Sequence, residues 1–302
     1  MNDLLIILTG ACVAVSCSLL GCFLVLRKMT MVADAISHAV LPGIVIAFLL
    51  SGSRDSVVML AGAALFGILT TFIIEFFHHK GGLQSDASIG VTFTWLFAVG
   101  VILITVFAGK VDLDQDCVLY GEIAYVPIDL WITDAGTILG PRALWIGAIV
   151  MVVIITFISI CYKALYLSTF DPAFAAAIGI STTLWHYALM GMVSLVSVAS
   201  FESVGAILVI ALMVTPAATA YLLTHELKKM LIYAAVIGVL TSVLGYYIAY
   251  AVDGSIAGAM ASVGGLLFML AFLFSPTDGY ISRNKRRTNK ATLEATLSAT
   301  SK

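Results

Sequence analysis

The chain is poor in charge. Of its 302 residues, 11% are Asp, Glu, Lys or Arg and 61% are hydrophobic, where an average soluble domain carries about 25% charged residues. A globular protein of this length has too little interior to hide such an excess, so lipid must solvate much of the surface. Cysteine is also scarce, with five in the chain. Cys12, Cys17 and Cys22 lie in the first apolar stretch, where thiols behave as small hydrophobes, and Cys117 stands in a long loop without an obvious partner. Neither a disulfide framework nor a zinc-type cysteine cluster is expected. No G-x-x-x-x-G-K-[ST] segment occurs, since Gly109–Lys110 is followed by Val111 and lacks the preceding glycine. The chain therefore carries no P-loop, and any nucleotide-driven work belongs to another polypeptide. H-E-x-x-H is missing too, which argues against an intramembrane zinc hydrolase with His38 as base. Basic residues do not precede the first apolar run, Leu4 to Leu26, but follow it as Arg27 and Lys28. A cleaved signal peptide has the opposite order, so the run is expected to stay as a span.

What the sequence does have is long apolar runs. Crossing the ~30 Å hydrocarbon core takes about 20 such residues, and runs of that kind lie at about 4–26, 30–50, 57–77, 87–108, 143–162, 183–200, 204–224, 230–252 and 256–274. No alternating ten-residue pattern is present, so the expected fold is all-α, with about nine transmembrane helices rather than a barrel. The sixth and seventh runs are separated only by Phe201, Glu202 and Ser203. Fused, they would leave eight spans, one of them about 60 Å long at 1.5 Å per residue, too long for one crossing. Pro216 is a candidate kink. With the N-terminus outside, 12 Lys and Arg fall in the cytoplasm and only Arg54, Lys110 and Arg142 outside, as the positive-inside rule requires. Residues 1–275 thus read as one transmembrane domain. Residues 276–302 read as a cytoplasmic basic tail, expected to be disordered. The outer segment from Gly109 to Pro141 is acidic, with Asp112, Asp114, Asp116, Glu122, Asp129 and Asp134.

The most informative segment is MVADAISHAVLPG, residues 31–43. Asp34 and His38 are four apart and share a helical face. Counted from Met29, His38 lies about 13 Å into the span, close to the bilayer midplane, where a carboxylate is costly unless paired or wet. Oxygen and imidazole nitrogen suit Mn²⁺, Fe²⁺ or Zn²⁺ better than Mg²⁺, so the pair reads as a metal site in a translocation pathway. The plainer reading is a hydrogen bond tying helices together. Pro42 and Gly43 can break the helix beside it. In STFDPAFAAAIGIS, residues 168–181, Asp171 is a good N-cap, Pro172 a good first residue and Gly179 a good terminator of a short cytoplasmic helix. That helix reads as a knob for another protein's groove or as an ordinary connector. Glu202 lies between two spans, where it can admit a cation at the outer entrance or simply be solvated. Glu75, His78 and His79 read as snorkelling residues at a cytoplasmic interface. His186 and His225, near the same boundary, read as structural.

The segments LLGCFLVLRKMTMVADAISHAVLPG (19–43), SDASIGVTFTWLFAVGV (85–101), FDPAFAAAIGI (170–180) and SVGAILVIALMVTPAATAYLL (203–223) together resemble the permease subunits of the bacterial zinc/manganese/iron ABC importers. The resemblance covers residues 4–274 and implies a type II ABC importer fold, with two permeases and two ATPases fed by an extracytoplasmic metal-binding protein. It implies that Asp34 and His38 bind the metal, and that Asp171, Pro172 and Gly179 belong to the coupling helix that docks on the ATPase. DLDQDCVLYGEI (112–123) is more similar to the manganese/iron branch than to the zinc branch, and that branch often pairs two different permeases. The expectation is a non-enzymatic transport subunit of the bacterial plasma membrane, with an identical or related second permease, ATP on a partner chain, no cofactor of its own and no nucleic acid. A proton- or sodium-coupled carrier working without an ATPase is the alternative.

Overall fold

A computed structural model of the chain describes residues 2–51, 56–107, 123–132 and 138–275. Asp112, Asp114, Asp116, Cys117, Glu122, Asp134 and the tail 276–302 lie outside the described residues, as do the side chains of His79 and Glu202. The helices are α1 (Asn2–Leu26), α2 (Met31–Ala39), α3 (Leu41–Ser51), α4 (Ser56–His79), α5 (Ser85–Phe107), α6 (Arg142–Phe170), α7 (Pro172–Ala177), α8 (Thr182–Val204), α9 (Ala206–Leu223), α10 (Leu227–Val252) and α11 (Ile256–Phe274). Among the described residues nine stretches are long and apolar enough to cross a membrane, with α2 and α3 together forming the second.

Helix α1 is the centre of the bundle. It packs against α6, α8, α9 and α10 and buries Val13, Ala14, Cys17, Leu20, Phe23 and Leu24. Helix α11 closes that half against α9 and α10, while α2 to α5 pack on one another and reach the rest through α8 and through the contact of α2 with α9. Lipid tails are as apolar as leucine, so association depends on close packing and polar contacts rather than on hydrophobic transfer. Two contacts show both. Gly43 of α3 and Gly62 of α4 meet backbone to backbone, and the Ser194 hydroxyl of α8 donates to the Ala64 carbonyl of α4 at 3.3 Å. Other buried hydroxyls, such as Thr9, Thr71 and Thr92, donate to carbonyls four residues back, which satisfies them without water. The four described cysteines are free.

Two breaks interrupt the apolar runs. The second span is interrupted at Val40, because Pro42 lacks the N–H that the His38 carbonyl would accept. The sixth and seventh spans part at Gly205, at φ 77° and ψ 159°, a conformation essentially restricted to glycine. Glu202 is therefore not in a turn between spans; its backbone belongs to the last turn of α8. The fifth span also runs past residue 162 to Phe170 and carries α7 beyond the apolar core.

At the far end of the bundle from α7, a 3-10 turn (Ile123–Tyr125) precedes β1 (Leu130–Ile132), which pairs antiparallel with β2 (Ile138–Pro141) across an irregular register. Buried Ile123 and Val126 fix this segment to the core.

Candidate functional site

Asp34 and His38 lie on α2, whose other face buries Val32, Ala33, Ala35, Ile36 and Ala39 against its neighbours. The face left open carries Met31, Asp34, His38 and Leu41, the i, i+3, i+7 and i+10 positions of one stripe. Asp34 retains 39% and His38 31% of side-chain exposure. Since α2 begins at Met31, His38 lies about 10 Å in at 1.5 Å per residue, somewhat shallower than the sequence count gave. The imidazole Nε2 and Asp34 Oδ1 are 3.6 Å apart, too far for a hydrogen bond. Two ligand atoms on one ion at about 2.1 Å stand about 3.0 Å apart in octahedral and 3.4 Å apart in tetrahedral coordination. The pair is thus splayed to nearly the bite of a transition metal.

Two aromatic side chains hold the imidazole. Phe93 and Phe97 of α5 each have ring centroids 5.9 Å from His38, Phe97 edge-on, a range in which ring quadrupoles favour tilted packing. Sequence reasoning missed both phenylalanines. Their own spacing of four, equal to that of Asp34 and His38, was the available signal. Among the described residues no three His, Cys, Asp or Glu side chains converge as a metal cage, so one chain offers an ion two side-chain donors at this place.

Helix α7 is built as the sequence foretells. The Asp171 carboxylate accepts from the Phe174 N–H at 3.0 Å, and Pro172 occupies the first helical position. At the other end Ile180 N–H donates to Ala175 O and Gly179 N–H to Ala176 O, with Gly179 at φ 85°, which is a Schellman cap. Asp171, Pro172 and Gly179 thus shape the helix. The large apolar side chains exposed on and beside it are Phe170 at the end of α6, Phe174 within it and Ile178 at its C-cap, each about half exposed.

A second polar cluster corrects the reading of Glu75 as a snorkelling residue. Glu75 of α4 is only 17% exposed, and its Oε1 lies 2.9 Å from His186 Nε2 of α8. The contact is close, although the imidazole N–H is not aligned as a hydrogen bond. Arg27 Nη1 lies 3.3 Å from His186 Nδ1, and Arg27 also donates from Nε to Thr169 Oγ1 at 3.1 Å and from Nη2 to Ser168 Oγ at 2.9 Å. Burial lowers the Arg27 pKa from its ordinary value, yet arginine stays charged in proteins. It can only donate, so His186 Nδ1 must accept and the imidazole proton sits on Nε2, facing Glu75.

Among the described residues nine stretches are long and apolar enough to cross a membrane, so the chain is a multi-pass membrane protein. The model of the ABC 3 transport family matches residues 4–275, and the chain belongs to that family. It is similar to the manganese transport system membrane protein MntD of Bacillus subtilis, 52% identical over 94% of this chain and 96% of that one. It is also similar to the zinc transport system membrane protein TroD of Treponema pallidum, 43% identical over 92% and 75%. Among solved structures, PsaBC from Streptococcus pneumoniae in complex with Fab superposes with a TM-score of 0.76 at 33% identity, covering 92% of this chain and 94% of that one. The fold is that of ABC transporter permeases.

Proposed function

We propose that the chain is the membrane-spanning permease subunit of an ABC importer that carries a divalent transition metal into the cytoplasm. Manganese is favoured over zinc or iron, because the relatives named for manganese include one 52% identical to this chain. The observation that carries the mechanism is the placement of Asp34 and His38. Both are about one-third exposed inside a span, and a carboxylate cannot face lipid there at small cost. Their open stripe therefore lines a water-filled path or the seam with a second permease. Two such chains, identical or related, would present two oxygen and two nitrogen donors to one ion. That set is loose enough to release its cargo, as a conduit requires.

The extracytoplasmic metal-binding protein delivers the ion at the outer mouth, and α7 docks on a separate ATPase. The N-terminus lies outside and the basic ends, with α7, face the cytoplasm of the bacterial plasma membrane. The half-exposed row Phe170, Phe174 and Ile178 favours the ATPase-driven reading over an ion-coupled carrier, which has no use for such a knob. Metal uptake by cells carrying Asp34→Ala or His38→Ala, at normal membrane abundance, tests the pathway. Loss of uptake is expected in both, and undiminished uptake removes both residues from it.

A further inference from the structure

We infer that Arg27 is a positioning residue that mechanically joins the helix of the metal site to the helix that meets the ATPase. This inference rests on the reading of α2 and α7 given above. Arg27 sits between α1 and α2, seven residues before Asp34. Its guanidinium grips Ser168 and Thr169 in the last turn of α6, immediately before the N-cap of α7 at Asp171. One side chain thus spans from the α1–α2 turn to the root of α7.

That turn is stiff enough to pass a displacement on. Met29 N–H donates to Leu24 O and Lys28 N–H to Val25 O, the two bonds of a Schellman motif. Lys28 occupies the left-handed position at φ 59°, where glycine is usual and a lysine persists only if the surroundings fix it. Val32 N–H then donates to Met29 O, so the first turn of α2 grows directly out of the locked segment. On its other side Arg27 meets His186, and through it Glu75. Helices α4 and α8 are thereby tied to the same point. A half-buried guanidinium with three polar neighbours on two other helices resists sliding, because moving one neighbour alone strands a partly desolvated charge. The ends of α1, α6, α8 and α4 are driven to move together, and α2 with them.

The decisive measurement is the number of Mn²⁺ ions moved per ATP hydrolysed. It uses proteoliposomes holding the complete transporter, meaning this chain with its second permease and ATPase, supplied with the metal-binding protein. Arg27→Lys keeps the charge but not the three-way fork. Ser168→Ala with Thr169→Val cuts only the α6 side and leaves Arg27 on His186. Both variants are expected to keep ATP hydrolysis while ions per ATP fall on the order of fivefold or more, the lower end of measured couplings between sites. Arg27→Lys added to the double variant should deepen the loss little, since both cut one link. An unchanged ratio in the double variant overturns the inference, and so does hydrolysis falling in step with transport; should Arg27→Lys fail to reach the membrane, the double variant decides alone. His38→Ala, run in parallel, reads the underlying proposal separately. Normal transport there defeats the metal pathway, whereas blocked transport there beside an intact ratio in the Arg27 and Ser168/Thr169 variants defeats only the present inference.

Discussion

Gly43 and Gly62 face each other so closely that a Cβ on Gly43 would lie 2.6 Å from the Gly62 carbonyl oxygen, and one on Gly62 would lie 2.7 Å from the Gly43 carbonyl oxygen. The obstacle in each direction is backbone, which cannot rotate aside as a side chain can. This contact sets the distance between α3, the continuation of the helix that carries Asp34 and His38, and α4, which carries Glu75.

Gly43→Val should therefore push α3 from α4 and destabilise the protein by about 1–3 kcal/mol, the usual cost of overpacking. Thermal unfolding in detergent reads the loss. Gly191→Ala is the contrasting case. No atom lies within 4 Å of the added Cβ and the site is inside a helix, so a change up to about 1 kcal/mol in the stabilising direction is expected.

Gly205→Ala should lower stability by about 1–3 kcal/mol, because φ 77° with ψ 159° is strained for any residue bearing a Cβ. If the variant instead relieves the strain by continuing α8 into α9, the two spans lose their sharp corner. In that event reduced membrane insertion would be seen as well. Abundance by immunoblot and melting temperature together register either outcome.

Phe174→Asp should release the ATPase without unfolding the bundle, since the ring is 52% exposed and lies outside the spans. Asp171→Ala should act more weakly, through loss of an N-cap that is worth about 1 kcal/mol. Copurification of the ATPase with the tagged permease measures both. Retention of the ATPase in full by Phe174→Asp would show that α7 is not the docking element.

Zn²⁺ should inhibit Mn²⁺ transport by the reconstituted complex. One carboxylate and one imidazole have no intrinsic preference for manganese, and divalent affinities at such donors rank Zn²⁺ above Mn²⁺. Competition at equal concentrations, supplied without the binding protein where the reconstituted system allows it, is the check. Absence of inhibition would mean that the ion meets a different donor set.

Much was legible in the sequence because the bilayer imposes simple rules. The nine spans among the described residues follow from run length and scarcity of charge, and the caps of α7 from Asp171, Pro172 and Gly179, whose preferences are local. The pair Asp34 and His38 was visible because a spacing of four fixes two side chains on one face whatever surrounds them. What was not legible depends on residues far apart in the chain. The aromatic walls of His38 come from α5, 55 and 59 residues on. Glu75 reads as a snorkelling residue until His186 is found beside it, 111 positions later.

The sequence by itself determined that the protein lives in a membrane, where its apolar spans run, and which two side chains share one face of the second span. These are matters of solvent and of helical period, both written along the chain. Only the tertiary structure decided that Asp34 and His38 point outward from their own bundle, that Glu75 is paired, and that Arg27 reaches the root of α7. Those outcomes depend on which helices come to lie side by side, and in lipid that choice is made by close backbone fit and by polar partners drawn from distant segments.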